Sequence, residues 1–316
     1  MVSIVLAVFN GEKYLVKQLN SIIRQTLLPK EIIIIDDKSN DNSLKLLYEF
    51  QKKNKESFNI EIIEHKENKG YAKTFFEGIK KSKGEFVFLC DQDDIWFSNK
   101  VEVMIKIMKN NNNIECLSSK YILIDNNDKK IRDFNFRKNT KKVRKIDSKE
   151  LLVGKVKPGF SVCFSNKIVE QLRKMDTDNF FAHDRLIEFL ACYDDGLYEC
   201  YRVLNYYRIH EKNTSGKNLG LKPRAEVRER IMQAEKEKNY LNRVLDILAD
   251  SNKQFMKKKI KRECQIIINF IDKRISYLEN ENFYKCLLTV ISNYNKYNSI
   301  QMVLGDLWFT SFLKKL

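Results

Sequence analysis

Three carboxylates fall within four positions of the stretch FVFLCDQDDIWF, at Asp91, Asp93 and Asp94. Like charges packed this tightly at the end of an apolar run repel one another and resist desolvation. A divalent cation, a group of Lys and Arg side chains, or bulk water at a strand mouth could offset that cost. A second acidic pair, Asp36-Asp37, closes the run EIIII. Acidic clusters in a basic chain suit a magnesium or manganese ion shared between carboxylate and diphosphate. These ions prefer oxygen ligands and usually take one or two carboxylates plus substrate phosphates. DDKSNDNS also fits a plain turn and helix cap, since Asp, Asn and Ser bond their local backbone. Three acids in four positions exceed what one cap requires.

Each acidic group ends a segment that reads as a buried strand. VSIVLAVF stops at Asn10-Gly11, EIIIIDDKS at the Asp pair and FVFLC at the triplet, while FNIEIIEH alternates as a further strand. Between them, YLVKQLNSIIRQT places Leu15, Leu19, Ile22 and Ile23 at helical spacing, and NSLKLLYEFQKKN and YAKTFFEGIKKS follow suit. This alternation predicts an α/β fold with a parallel or mostly parallel sheet flanked by helices. Ligands of such sheets bind beyond the carboxyl ends of the strands. Asn10, Asp36-Asp37 and the triplet all fall at such ends.

The remaining chain changes character twice. Residues 126–150 hold ten Lys/Arg against four Asp/Glu. They read as a solvated loop or as a flap over an anionic substrate or lipid headgroup. After about Lys222 the pattern is helical, with Val227, Ile231, Ala234, Leu241, Leu245 and Leu248 on one face. Ile260, Cys264, Ile267, Ile271, Ile275 and Leu278 then line another. The expected division is 1–222 and 223–316. The last helix carries Ile300, Val303, Leu304, Leu307, Trp308 and Phe312, with Lys314 and Lys315 at its tip. That face suits core packing or shallow contact with a membrane surface.

A formal charge of +16 and a pI near 9.3 favour acidic partners: nucleic acid, an anionic membrane or a phosphorylated small molecule. Part of that charge reflects a coding bias toward Lys, Asn and Ile. Seven scattered cysteines without a CxxC pair argue against a disulfide framework or zinc site and fit a reducing cytosol. MVSIVLAVFNGEKYL lacks the basic start and cleavage site of a signal peptide, and no apolar run approaches the roughly 18 residues of a membrane span. The expectation is a cytoplasmic protein, soluble or peripheral to the membrane.

No GxxxxGK[ST], GxGxxG, HExxH or GxSxG occurs. Instead VFNGEKYL, IIIIDDKSNDNS and FLCDQDDIW, followed in order by GFSVCFSNKIVEQ, FFAHDRLIEFLACYDDG and YYRIHEKNTSG, resemble the family 2 glycosyltransferases of the GT-A fold. The likeness is to their rhamnosyltransferase-like bacterial branch and covers about residues 1–220. It implies a Rossmann-like GT-A sheet in which Val8, Phe9 and Glu12 cradle the nucleoside and Asp37 bonds a pyrimidine base. Asp91 would lie near the ribose, and Asp93 would hold Mn²⁺ or Mg²⁺ on the diphosphate. Asp184 takes the position of the catalytic base, and His210 that of a second metal or diphosphate contact. Lys73, in NKGYAKTFFEGI, stands where Arg is common and would meet a phosphate as a point charge. Read locally, Asp184 is an ordinary acid at a helix start, and His210 a hydrogen-bonded structural residue. The absence of QxxRW argues against a processive synthase.

The resemblance implies an inverting, metal-dependent enzyme that moves a sugar from a nucleotide diphosphate donor to a lipid-linked or glycan acceptor in bacterial surface polysaccharide synthesis. The donor expected is dTDP-rhamnose, or else a UDP-hexose, with an anionic membrane as a peripheral contact. Two other readings are a basic nucleic-acid-binding protein and an inactive GT-A scaffold. Nucleic acid is not expected as a partner, because no reader motif is present. The joint retention of Asp93, Asp184 and His210 argues against the scaffold.

Overall fold

A computed structural model describes residues 1–131, 140–178, 180, 182–211, 227–249, 254–297 and 300–310. They form two compact units, residues 1–146 with 156–210, and residues 147–155 with 211–316. The excursion 147–155 clusters with the second unit.

The first unit opens with strict strand–helix alternation. β1 (Val2–Val8), α1 (Glu12–Ile23), β2 (Glu31–Asp36), α2 (Ser43–Asn54), β3 (Asn59–Glu64), α3 (Tyr71–Lys81) and β4 (Phe86–Cys90) follow in order. β3, β2, β1 and β4 pair in parallel. Ile32 to Ile35 and Phe88 to Cys90 are fully buried, which is why these strands read as unbroken apolar runs. β3 lies at the sheet edge, where Ile60 is buried between exposed Asn59 and Glu61 while Ile62 and Ile63 are both half-buried.

Beyond β4 the sheet becomes mixed. It continues through β5 (Ile95–Trp96), α4 (Lys100–Lys109), β6 (Cys116–Ile124), β7 (Val143–Lys145), β8 (Val162–Ser165), α6 (Asn166–Arg173), α7 (His183–Tyr193) and β9 (Leu197–Arg208). The spatial order is β3-β2-β1-β4-β8-β6-β9-β5, with β7 paired to β9. β8 runs antiparallel to β4 and β6, β5 and β7 run antiparallel to β9, and β6 is parallel to β9. The basic stretch 126–150 therefore contributes a short strand as well as loop, while residues 132–139 lie outside the described residues. Its first turn is tight: the Asp125 carboxylate accepts the N–H groups of Asn127 and Lys129 at 2.8 and 2.9 Å.

The second unit is helical, with α5 (Ser148–Leu152), α8 (Val227–Ala249), α9 (Gln254–Glu279), α10 (Phe283–Asn293) and α11 (Ile300–Thr310). Among the described residues, no helix is long and apolar enough to cross a membrane. Ala234, Leu241, Leu248, Ile260, Cys264, Ile267, Ile271 and Leu278 are buried as the helical spacing anticipates, while Val227, Ile231, Leu245 and Ile275 are half-buried.

α11 departs from a simple amphipathic pattern. Val303 is buried and Leu304 is 57% exposed, while the side chain of Trp308 and residues 311–316, with Phe312, Lys314 and Lys315, lie outside the description. The fully buried residue is an acid, Asp306. Its carboxylate binds Arg274 at 2.6 and 3.1 Å and Arg230 at 3.0 Å, and accepts the Tyr277 hydroxyl at 2.6 Å. Gly305 makes room for this group: a Cβ there would fall 1.7 Å from the Arg230 guanidinium. Removing one partner of a buried pair strands the others without compensation, at about 3–5 kcal/mol. Asp306→Ala is therefore expected to lower the stability of the helical unit by that amount, read as a shifted denaturant midpoint for the full chain.

Candidate active site

The acidic loop after β4 is shaped by its own side chains. Gln92, between Asp91 and Asp93, turns away and mimics a strand partner. Its Oε1 accepts the Phe9 N–H at 2.8 Å and its Nε2 donates to the Phe9 carbonyl at 2.9 Å. This ties the β4 loop to the β1 loop. Asp94 is fully buried and accepts the backbone N–H of Arg208 at 3.2 Å. The Arg208 guanidinium, also fully buried, donates to the Asp93 carbonyl at 2.8 Å and the Asp125 carbonyl at 2.9 Å, and pairs with Asp128 at 2.6 Å. The Tyr14 ring lies 4.5 Å from it. Elsewhere around the loop, the buried Lys100 ammonium donates to the Phe160 carbonyl at 2.6 Å and lies 4.0 Å from the Trp96 ring centre.

Just past Arg208, His210 brings Nε2 to 2.7 Å from an Asp93 carboxylate oxygen. Two donors at that spacing fit neighbouring positions around a small divalent ion, whose ligand distances of 2.0–2.1 Å put adjacent ligands about 3 Å apart. Among the described residues, no group of three His, Cys, Asp or Glu gathers to hold an ion unaided. The donor set therefore suits an ion completed by phosphate and water oxygens.

Burial raises the Asp91 carboxyl to about 7, and the charges of Asp93 and Asp184 add to the effect. Asp94 is pushed well up by burial, then by Asp93 and Asp91. Burial also pushes Lys100 down to about 8, although nearby acids oppose it. Asp184, half-buried in the first turn of α7, accepts the Arg185 N–H at 2.8 Å. Asp91, Asp93, Asp184 and His210 thus come together around the β4 end.

The other sequence-derived candidates lie on the neighbouring loops. Asp37 is buried, with both carboxylate oxygens engaged. They accept the N–H groups of Lys69 and Gly70 at 2.7 and 2.9 Å, and one bonds His65 Nδ1 at 2.7 Å. His65 continues to Glu77 at 3.0 Å. Asp37 therefore fixes the loop that enters α3 through Gly70, at φ 83°. The Val8 side chain is buried in the core, and its carbonyl accepts the Asp37 N–H at 2.7 Å. Phe9 is exposed at the rim. Glu12 accepts the backbone and side-chain N–H groups of Asn42 at 3.0 and 2.8 Å, at the entrance to α2. Lys73 is exposed on the first turn of α3.

Residues 3–173, more than half of the chain, match the family model described as Glycosyl transferase family 2. The chain belongs to that family. Among its relatives is the UDP-Glc:alpha-D-GlcNAc-diphosphoundecaprenol beta-1,3-glucosyltransferase WfgD of Escherichia coli, 32% identical over 40% of this chain and 48% of that protein. The dTDP-rhamnosyl transferase RfbG of Shigella flexneri is 29% identical over 69% of this chain and 75% of its own length. For two of the curated relatives the matched stretch is less than half of their length, 19% and 48%.

The crystal structure of S. aureus TarS 1-349 superposes with a TM-score of 0.62 at 14% identity, covering 99% of this chain and 91% of that one. The mannosyltransferase PcManGT of Pyrobaculum calidifontis, solved in complex with GDP-Man and Mn²⁺, gives 0.57 at 13%, covering 100% and 88%. The fold is GT-A.

In this family 2 chain, the groups that the sequence did not single out include His65, His183 and several buried charges. Arg208 stands in YYRIH, where a charged residue ending an apolar strand was the available signal. Glu199, on β9 with a side chain only 1% exposed, is another. It meets Lys120 at 2.6 Å, Lys157 at 2.9 Å and Arg144 at 3.0 Å. Burial alone would raise its carboxyl, but Lys120 and Lys157 outweigh that and hold it near 2. A depressed carboxyl contributes stability that is fully present above its unfolded value near 4.5 and is lost as pH falls toward 2. The pH-dependent contribution is about 3 kcal/mol. Glu199→Gln should therefore melt well below the parent at pH 7, with the difference shrinking across pH 4.5 to 2 in thermal scans.

Proposed function

We propose that this chain is an inverting, divalent-metal-dependent glycosyltransferase that moves one sugar from a nucleotide diphosphate donor to a lipid-linked or glycan acceptor in bacterial surface polysaccharide synthesis. The observation that carries this reading is the Asp93–His210 contact of 2.7 Å, made between residues far apart in sequence and beside Asp91 and Asp184. Asp93 and His210 would hold Mn²⁺ or Mg²⁺. When bound, that ion would neutralise charge developing on the diphosphate leaving group. Asp184, in the first turn of α7, takes the proton of the attacking acceptor hydroxyl. One displacement with one base inverts the anomeric centre.

Phe9, Glu12, Asp37 and Asp91 line the nucleoside side, and Val8 contributes through its backbone. Lys73 meets a phosphate. The likeness to RfbG supports dTDP-rhamnose as donor, and the likeness to WfgD supports a UDP-hexose and an acceptor carried on a lipid diphosphate.

A lipid-borne acceptor goes with a place at the inner face of the cell membrane. The support is an exposed stripe on α10, where Tyr284, Leu288 and Ile291 are 71, 67 and 71% exposed at helical spacing, with exposed Lys285 alongside. Apolar side chains flanked by Lys suit shallow insertion into an anionic surface.

Three measurements test these roles. Thermal melts with dTDP, UDP, GDP and CMP, each with and without Mn²⁺, should show a metal-dependent shift for one pyrimidine diphosphate. Saturation at 100 times the dissociation constant is worth about 2.7 kcal/mol. Asp93→Asn should lose the metal-dependent part of the shift. Asp184→Asn should keep it while transfer falls roughly 10²- to 10⁴-fold, and near-parental transfer by that variant would remove Asp184 from the base role. On vesicles containing phosphatidylglycerol, Leu288→Glu with Ile291→Glu should reduce co-flotation and leave transfer to a water-soluble acceptor unchanged.

A further inference from the structure

His183 heads α7, directly before Asp184, and no step above uses it. Its side chain is buried, with the residue 5% exposed. Neither ring nitrogen has a hydrogen-bond partner among the described residues. Three aromatic rings enclose it: Phe75 stacks at 4.1 Å, and Tyr71 and Phe76 present edges at 5.9 and 6.4 Å. Backbone closes another side, since a Cβ on Gly159 would come within 2.7 Å of Nε2. Burial holds the ring near pKa 4 against the opposing charge of Asp184. It is therefore neutral around pH 7, with one nitrogen a donor and the other an acceptor.

An imidazole in this position is an unfavourable choice for packing alone. Leaving a buried polar atom unbonded weakens folding, whereas a phenyl ring would fill the same aromatic box without that penalty. Such local conflicts concentrate at functional sites. The placement of His183 suggests what it serves. Tyr71 packs against it and is 45% exposed, and the Tyr71 phenol is raised by burial and then by the charges of Asp184 and Asp91. Tyr71 therefore touches the imidazole and also lies within electrostatic reach of Asp184 and Asp91. It is the first residue of α3, directly after Gly70, whose φ of 83° favours glycine.

We propose that His183 is a specificity-determining residue, whose neutral imidazole hydrogen-bonds a hydroxyl of the transferred sugar when the donor displaces the Tyr71 ring. The proposal rests on the glycosyltransferase reading and deepens it. The nucleotide and diphosphate are held by other groups, so the effect of His183 is confined to the sugar.

The test compares the full chain with His183→Phe by titration calorimetry in the presence of Mn²⁺. The probes are UDP and dTDP, and their sugars UDP-glucose, UDP-N-acetylglucosamine and dTDP-rhamnose. His183→Phe should melt at a higher temperature and bind the bare diphosphate as the parent does. It should bind the preferred nucleotide sugar about tenfold more weakly, as expected for one hydrogen bond. His183→Gln, which keeps a donor and an acceptor, should recover part of that loss.

Gly159→Ala is an independent probe that leaves the histidine in place but crowds Nε2. It should show the same loss for the sugar nucleotide alone, and it decides the matter if the Phe variant does not fold. An unchanged ratio of sugar-nucleotide to bare-nucleotide affinity in both variants makes His183 a packing residue and overturns the proposal. If the parent binds none of the five probes, the proposed UDP- or dTDP-sugar donor fails and this inference goes with it.

Discussion

The first unit depends on keeping three carboxylates together at the end of one buried strand. Charges at such spacing are tolerable only where cations and donors are built in around them. Arg208 is the main such group. Its guanidinium binds the Asp93 carbonyl and, across the loop, Asp125 and Asp128, while its backbone N–H caps Asp94. Lys100 adds a second buried cation, which lowers the proton affinity of both Asp91 and Asp94. The acids are thus held in a fixed cage, and a site of this kind needs no rearrangement to present Asp93 beside His210.

The same arrangement places the candidate site at the sheet's seam. β4 is the last strand of the parallel run, and β8, its neighbour on the other side, is antiparallel. β9 returns across the mixed half to deliver Arg208 and His210 to the acidic loop, and β5 pairs with β9 to close the loop from the other direction. α7 supplies Asp184 at its first turn, where the helix dipole favours a negative charge. Each contribution comes from a different element, yet all meet where the parallel pattern stops.

The helical unit uses a comparable device with a different outcome. Asp306 is enclosed by Arg230, Arg274 and Tyr277, and Tyr297 extends the network through a 2.7 Å contact with Tyr277. Here one carboxylate is shared by two guanidinium groups and shielded from solvent, and the network ties α8, α9 and α11 together. The apolar side chains that this core leaves outward on α10 form the exposed stripe.

Much of this was legible in the sequence. Unbroken runs such as EIIII and FVFLC identified β2 and β4 because strands buried on both faces show no alternation, and the acids closing them do fall at the carboxyl ends of those strands. Ordered motifs named Asp93, Asp184 and His210. The sequence could not show that Gln92 turns back onto Phe9, that both Asp37 oxygens are engaged, that Glu199 gathers three cations, or that α11 buries an acid. Those facts depend on pairings across long sequence separations, where a residue's partner comes from another element and periodicity carries no information about it. Residue type and spacing determined which groups were available. Only the folded chain decided which charges were neutralised, which were crowded and which ring nitrogens were left unpaired, because desolvation and Coulomb interaction depend on distance and burial.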